Sequence, residues 1–295
     1  MESATGTRVA VAAPPRAELG RLRYRAGDLL RVLLLVVFAV LMLAPLLFAV
    51  STSLRTPAES FSLPPKWLPL SPDWSNYEAV FTTIPFEKYI LNSVWVTLAI
   101  VVGQMVTAAL AGYAFARLDF PGRGVLFWLV LATLMIPLQA TIIPVFVLIS
   151  KLGLADTRAS LILPALSSAF GTFLMRQYFL RIPKEFEEAA LLDGASQWRI
   201  FWSIYLPLAK GGLAVLAILT FNGYWNEFLR PLIFLKSIDK FTLPLGLVNL
   251  QGYLGTGSIS VVLAGVVVSL LPVLAVYLVG QRYLVEGIMM GGLKG

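Results

Sequence analysis

Residues 185–207 read EFEEAALLDGASQWRIFWSIYLP and separate two long apolar runs of the chain. Pro183 suits the first position of a helix here, Gly194 suits a left-handed cap at its end, and Ser196 can cap a second helix. Pro207 then begins the next apolar run. The stretch therefore predicts a helix, a sharp turn and a second helix between two membrane segments. The first turn of the first helix would contain Glu185, Glu187 and Glu188.

The acidic residues of this stretch have two explanations. Glu185 and Glu187 suit the positive N-terminal end of a helix dipole on a solvated face. Asp193 lies at the negative C-terminal end, where a carboxylate is disfavoured. Because Ala189 and Ala190 leave a shallow surface nearby, this part of the stretch also suits close approach by another protein.

Composition places the chain in a membrane. Its 295 residues are 58% hydrophobic and 13% charged, and the mean hydropathy of +0.81 is far above that of a soluble domain. Cysteine and histidine are absent, which removes thiol nucleophiles, imidazole bases and most transition-metal sites. Much of the net charge of +7 precedes the first apolar run, which marks a cytoplasmic end rather than a nucleic-acid site. The sequence predicts an all-α integral membrane protein that is not an enzyme.

Six apolar runs provide the about 20 residues that a membrane-spanning helix needs. They lie near 30–53, 89–115, 124–150, 159–178, 209–235 and 259–282. Lysine and arginine concentrate before the first run and in the loop that holds residues 185–207, so we expect both termini in the cytoplasm. We expect residues 1–28 to be a basic cytoplasmic segment, 29–286 the membrane domain with a retained first anchor, and 287–295 a cytoplasmic tail.

Glu227 and Arg230 are the ionisable residues at membrane depth, one turn apart in the fifth run. They can pair with each other at (i, i+3). A secondary transporter or channel would use such residues for ion or proton coupling, so this alternative stays open, as does a structural scaffold subunit.

In the second run, Gly103 and Gly112 offer a small-residue face for close helix packing.

An apolar loop on the outside follows the fifth run. Residues 240–258 read KFTLPLGLVNLQGYLGTGS and contain Pro244 and four glycines. The pattern predicts a loop that dips toward the membrane or toward a partner.

The 185–207 stretch also carries a family resemblance. Its residues fill every fixed position of the EAA signature of permease subunits in binding-protein-dependent ABC importers, a pattern that ends in IYLP. The segments GYWNEFLRPL at 223–232 and TLPLGL at 242–247 resemble the sugar-importing branch. The tail GIMMGGLKG resembles that of the MalG-like subunits, although Ile288 and Met289 depart from it. The signature positions are Glu188, Ala189, Ala190, Gly194, Ile204, Leu206 and Pro207.

The resemblance implies a type I ABC importer permease with six transmembrane helices, in the cell membrane of a prokaryote. Residues 183–206 would be coupling helices seated on an ATP-hydrolysing subunit, with Glu188 facing a basic residue of that subunit. The implied partners are a MalF-like second permease, a dimer of ATPase subunits and an extracytoplasmic substrate-binding protein. ATP and Mg would be bound by the ATPase, since this chain has no G-x-x-x-x-G-K-[ST] loop. The coupling set comprises the signature positions and Asp193.

The resemblance also directs attention to substrate. The branch imports sugars, oligosaccharides and related polyols, and sugar sites need aromatic faces with amide or carboxylate groups. Such groups occur together at Asn222, Tyr224, Trp225, Asn226 and Glu227. Trp and Tyr are also typical of interfacial belts, so both interpretations stand. In the outer loop, the resemblance implies that Asn249, Gln251 and Gly252 enter the binding protein and displace the bound sugar.

Overall fold

A computed structural model describes residues 26–56, 59, 68–69, 71–252 and 257–292. Every regular element in these ranges is helical, which confirms the all-α prediction. Residues 1–25 of the predicted basic segment, 253–256 of the outer loop and 293–295 of the tail lie outside the described residues.

The helices follow one another along the described chain. They are α1 (Ala26–Ser53), α2 (Ser75–Thr83), α3 (Phe86–Arg117), α4 (Arg123–Thr133), α5 (Leu138–Lys151), α6 (Arg158–Ile162), α7 (Ala169–Arg181), α8 (Glu185–Leu192), α9 (Gln197–Ile200), α10 (Lys210–Trp225), α11 (Leu229–Phe234), α12 (Leu243–Asn249) and α13 (Ile259–Gly292). The chain divides after Leu47 into two compact units, of which the first contains most of α1. The second unit contains every other helix.

The six predicted spans are recovered, but three of them are broken. α1, α3 and α13 are each long and apolar enough to cross a membrane alone. The other three spans are helix pairs: α4 and α5 bent by 99°, the segment Arg158–Ala165 and α7 bent by 42°, and the segment Gln197–Leu208 and α10 bent by 72°. The runs predicted at 124–150 and 159–178 are therefore bent helix pairs, and the run predicted at 209–235 follows a bend of 72° at Ala209.

Proline explains where the first of these breaks falls. Pro137 is the last residue before α5, and it disfavours a helical conformation in the residue before it. The second break ends at Ser168, whose hydroxyl oxygen accepts a hydrogen bond from the Gly171 N–H at 3.0 Å and caps α7. The fifth run contains an additional interruption, because α10 ends at Trp225 and the short α11 begins only at Leu229.

α3 is the central helix of the second unit. It contributes residues to all three of the buried apolar clusters found in the described chain. A Cβ atom added to Gly112 would lie 2.7 Å from the Cβ of Met175, and one added to Gly103 would lie 2.4 Å from a methyl carbon of Leu166. These contacts confirm the predicted small-residue face, which allows α7 to pack closely on α3. Following the predicted orientation, we call the Phe86 end of α3 the outer end and the Arg117 end the inner end.

The outer loop is more regular than predicted. Residues 243–249 form α12, with Pro244 in its first turn. A Cβ atom at Gly246 would lie 2.1 Å from the ring of Tyr89, so this glycine provides close packing rather than a bend. The prediction of a loop is therefore wrong for residues 243–249.

Candidate functional site

The coupling segment, residues 185–208, contains the predicted helix, turn and helix. α8 ends in a Schellman motif, in which Gly194 has φ of +77° and the Ala195 N–H donates to the Ala190 carbonyl at 2.9 Å. The Ser196 hydroxyl oxygen accepts a hydrogen bond from the Arg199 N–H at 3.4 Å, as a cap of α9. The helix begins at Glu185 rather than at Pro183, so the predicted role of that proline as first helical residue is wrong.

A π-helix joins α9 to the following membrane helix. It covers Phe201–Tyr205, and the Leu206 N–H donates to the Phe201 carbonyl. Pro207 has no N–H with which to continue an α-helical ladder. One helical turn, Leu206–Leu208, completes the segment before the chain bends at Ala209 into α10. Single π turns within helices are frequent at functional sites, because they insert a residue without ending the helix.

A hydrogen bond within the segment joins its two helices. The Tyr205 hydroxyl donates to a carboxylate oxygen of Glu187 at 2.7 Å. Tyr205 is fully buried, and Glu187 is half-buried. The solvated-face explanation suits Glu185, which is exposed, but it is incomplete for Glu187. Sequence reasoning missed this bond because the two residues lie 18 positions apart and no local pattern relates them.

The inner end of α3 holds the segment on both sides. The Tyr113 hydroxyl donates to the Gln197 side-chain oxygen at 2.7 Å. The Arg117 guanidinium donates to the Phe179 carbonyl at 2.6 Å and to the Ile182 carbonyl, and it lies 4.8 Å from the centre of the Tyr205 ring. The segment is therefore attached to the inner end of α3.

Two cavities border the segment. One of about 350 Å³ lies between the inner end of α3 and α8 and is lined by Arg117, Glu187 and Glu188, and a second of about 220 Å³ borders Asp193 and Arg199. Leu192 is 90% exposed. Of the predicted coupling set, the exposed members are Glu188, Ala189, Asp193, Gly194 and Pro207, and the half-buried members are Ala190, Ile204 and Leu206.

A polar network crosses the middle of the bundle and compensates for its broken helices. The Gln104 amide donates to the Ala165 carbonyl at 2.8 Å, and the Thr107 hydroxyl donates to the Leu166 carbonyl at 2.7 Å. Both carbonyls lie at the break between α6 and α7, where the helix no longer satisfies them. Gln104 also donates to the Tyr224 hydroxyl at 3.0 Å.

Glu227 and Arg230 form the predicted ion pair. Their side chains are 15% and 6% exposed. The Arg230 guanidinium also lies 4.9 Å from the centre of the Tyr224 ring and donates to the Leu161 carbonyl at 3.5 Å. Burial of this pair is compensated by direct contact and further hydrogen bonds, as a charge at membrane depth requires.

The remaining substrate candidates divide into buried and exposed residues. Trp225 is 2% exposed, stacks on Phe221, and donates its indole N–H to the Ser269 carbonyl at 3.1 Å. Asn222 and Asn226 are exposed, and the Asn226 amide donates to the Asn222 carbonyl at 2.9 Å. The structure thus brings the two asparagines together on the surface beside the break after α10.

The outer loop carries its three candidates at the end of α12. Asn249, Gln251 and Gly252 are exposed, whereas the intervening Leu250 is buried. Gly252 has φ of +66°, a conformation that favours glycine.

An outer clasp, formed by Asp156 with residues 234–240, fixes the approach to this loop. One carboxylate oxygen of Asp156 accepts from the Lys236 N–H at 2.8 Å and the Ser237 N–H at 2.9 Å. The other accepts from the Ser237 hydroxyl and from the Lys240 ammonium. The bonds from Ser237, then those from Lys236 and Lys240, hold the pKa of the Asp156 carboxyl well below its usual range. Sequence reasoning did not single out Asp156.

Comparison with known proteins shows one family over most of the chain. A family model described as "Binding-protein-dependent transport system inner membrane component" matches residues 104–288. The arabinooligosaccharides transport system permease protein AraQ of Halalkalibacterium halodurans is 39% identical, over 88% of this chain and 91% of that protein. The diacetylchitobiose uptake system permease protein NgcG of Streptomyces coelicolor is 35% identical, over 88% and 86%. The sn-glycerol-3-phosphate transport system permease protein UgpE of Yersinia pestis is 33% identical, over 90% and 97%.

A solved structure supports the same relationship. A chain from the crystal structure of a bacterial ABC transporter involved in the import of the acidic polysaccharide alginate matches with a TM-score of 0.79 and 29% identity, over 88% of this chain and 98% of that one. A chain from a second structure, the bacterial alginate ABC transporter in complex with a periplasmic protein that binds an alginate pentasaccharide, shares the fold at a TM-score of 0.63.

Proposed function

Because the chain belongs to the family of inner membrane components of binding-protein-dependent transport systems, we propose that it forms half of the translocation path of an ATP-driven sugar importer. The coupling segment carries this proposal. It presents the exposed Glu188 and Asp193 beside two cavities, while Tyr113 and Arg117 attach it to the inner end of α3. Such a surface suits a partner that moves the segment relative to the membrane.

The partner on this side is a dimer of ATPase subunits, which bind ATP and Mg. Their closure displaces the coupling segment, and the bent connection at Ala209 transmits the movement to α10. A MalF-like permease supplies the other half of the path. Both termini and the coupling segment lie in the cytoplasm, and the outer loop faces an extracytoplasmic binding protein.

The substrate is a neutral sugar or oligosaccharide. Asn222 and Asn226 offer amide groups to sugar hydroxyls at the break after α10, while Tyr224, Trp225 and Glu227 hold that break in place. Between residues 222 and 234, Arg230 is the only cationic side chain, and it is paired with Glu227. A carboxylate or phosphate on the substrate would find no free cation there. Relatives named for arabino-oligosaccharides and diacetylchitobiose support this class, whereas UgpE and the alginate importer are named for acidic substrates.

The outer loop releases the substrate from the binding protein. The exposed amides of Asn249 and Gln251 can compete for the groups that hold a sugar, and Gly252 permits close backbone approach. Shortening residues 249–257 should preserve assembly and basal ATP hydrolysis but slow uptake. A shortened chain that transports at the normal rate would contradict this role.

Two measurements test the proposal. Calorimetry on the cognate binding protein with a panel of neutral sugars, uronates and glycerol-3-phosphate should select a neutral sugar. Uptake of that sugar by the reconstituted transporter should then require ATP and should weaken with Asn226→Leu more than with Asn226→Gln. Selection of an acidic ligand would contradict the substrate class, and ATP-independent uptake would contradict the mechanism.

A further inference from the structure

α3 is the one candidate span in the described chain that has neither a proline nor a break. It runs through 32 residues from Phe86 to Arg117 without proline. α1 contains Pro45, α13 contains Pro272, and the other three spans are bent pairs. Proline removes a backbone hydrogen bond and kinks a helix, so α3 is the stiffest connection across the bundle. At about 1.5 Å per residue it is about 48 Å long, which exceeds the about 30 Å hydrocarbon core.

The outer end of α3 holds the root of the outer loop. The Asn92 amide donates to the Asp239 carbonyl at 2.9 Å and to the Phe241 carbonyl at 3.0 Å, and Asn92 is 2% exposed. Its side-chain oxygen accepts two hydrogen bonds from Arg158, at 3.0 and 2.7 Å. The Ser93 hydroxyl oxygen accepts from the N–H of Leu243, the first residue of α12, at 2.7 Å. A movement of α12 would therefore displace the outer end of α3.

The inner end of the same helix holds the coupling segment. Tyr113 bonds to Gln197 at the start of α9, and Arg117 bonds to the carbonyls of Phe179 and Ile182 before α8. One uninterrupted helix thus touches the root of the outer loop at one end and both flanks of the coupling segment at the other.

We propose that α3 is the rod through which a loaded binding protein on the outside stimulates ATP hydrolysis on the inside. Asn92 is the positioning residue at the outer end, and Tyr113 is the positioning residue at the inner end. Seating of the binding protein on the outer loop displaces the root of α12, and α3 transfers this displacement to the coupling segment as a rigid body. The inference rests on the proposed function.

The first test compares two buried asparagines in the complete transporter, reconstituted with its ATPase and binding protein. Asn92→Ala should reduce stimulation of ATP hydrolysis by the loaded binding protein by roughly fivefold or more, with basal hydrolysis within about twofold of wild type. Asn76→Ala is the matched control, because Asn76 is 3% exposed and its amide donates to the Ser53 and Arg55 carbonyls at 3.0 and 2.8 Å, neither of which belongs to α3. The control should keep its stimulation. Normal stimulation in Asn92→Ala, or equal losses in both variants, would overturn the proposal.

The second test asks whether the two ends act through one element. Asn92→Ala and Tyr113→Phe should each reduce stimulation roughly fivefold. The double variant should also lose roughly fivefold, because both substitutions interrupt the same connection through α3. A product of the two losses, roughly 25-fold, would indicate independent routes and overturn the proposal. Absence of stimulation in the wild-type transporter would instead refute the proposed function.

Discussion

The coupling segment and the outer clasp hold loops at opposite ends of α3, but in different ways. In the clasp, both carboxylate oxygens of Asp156 are bonded to residues 236–240, its N–H donates to the Phe234 carbonyl, and its carbonyl accepts from Lys240. In the coupling segment, the acidic side chains divide: Glu187 bonds inward to Tyr205, while Glu188 remains exposed.

This difference indicates where each end meets other proteins. The clasp satisfies its own polar groups, so it serves as a fixed base for the loop that follows. In the coupling segment, a charged surface and the 90% exposed Leu192 are not covered by the other described residues of this chain. A surface that a partner covers is expected to look like this. Variants of Glu188 and Asp156 should therefore fail in different ways, through partner binding at Glu188 and through local stability at Asp156.

The largest effect should come from reversing the charge at the partner surface. Glu188→Lys should abolish transport and weaken association with the ATPase, while the chain still inserts into the membrane. Glu185→Lys is the matched control, because Glu185 is exposed in the same helical turn and either change costs about 0.3–1 kcal/mol through the helix dipole. Co-purification of the ATPase and uptake assays would measure both. Equal defects in the two variants would show that Glu188 acts only by stabilising the helix dipole and not by contacting the ATPase.

The next effect should appear at the clasp as a loss of local order. Asp156→Ala removes the acceptor of the Lys236 and Ser237 N–H groups, and it places alanine at a φ of +57°, which aspartate tolerates better. We expect faster tryptic cleavage at Lys236 and Lys240 and a lower melting temperature in detergent, with ATPase association unchanged.

Asp156→Asn separates the two causes. Asparagine tolerates the left-handed conformation and keeps one acceptor oxygen, but it loses the charge that faces Lys240. It should be cleaved at a rate between those of wild type and Asp156→Ala. Wild-type cleavage rates in both variants would show that the clasp is not what fixes this loop.

Local chemistry made the coupling segment predictable from sequence. Gly194 and Ser196 determine the turn and the second cap through their own backbone preferences, and these preferences operate within five residues. The number of spans also followed, because apolar runs of membrane length are visible without knowledge of their neighbours.

The bend angles and the clasp depend on contacts that the sequence does not display. In the run 124–150, Pro137 marks the position of the break before Leu138, but nothing in the sequence gives the bend of 99°. Asp156 meets its partners about 80 residues later, and Trp225 reaches the Ser269 carbonyl from another helix. These pairings are tertiary, so a reading of local patterns places Trp225 at a membrane surface or beside substrate rather than in the core.

A smaller effect is expected inside the coupling segment. Tyr205→Phe removes the bond to the Glu187 carboxylate, which is worth about 1.5–3 kcal/mol, and leaves the ring packing in place. We expect a modest fall in sugar transported per ATP hydrolysed, since α8 and α9 no longer move together. Tyr178→Phe is the control, because in the described part of the chain the Tyr178 hydroxyl has no hydrogen bond while its ring packs beside Gly212. A normal transport ratio in Tyr205→Phe would show that the coupling segment does not need this bond.

The smallest effect is the pH dependence of the clasp. Its bonds lower the pKa of the folded Asp156 carboxyl, so the stabilisation they provide is present above the unfolded pKa of about 4 and is lost as pH falls through the folded value. The melting temperatures of wild type and Asp156→Asn should therefore differ by a constant amount between pH 7 and pH 5, and the difference should shrink below about pH 4. Because other carboxylates titrate in both chains, the difference between the two melting curves isolates Asp156. A difference that does not shrink below about pH 4 would mean that Ser237, Lys236 and Lys240 do not lower the pKa of the folded Asp156 carboxyl. The clasp would then not be held in place by its own polar groups, and the contrast with the coupling segment would fail.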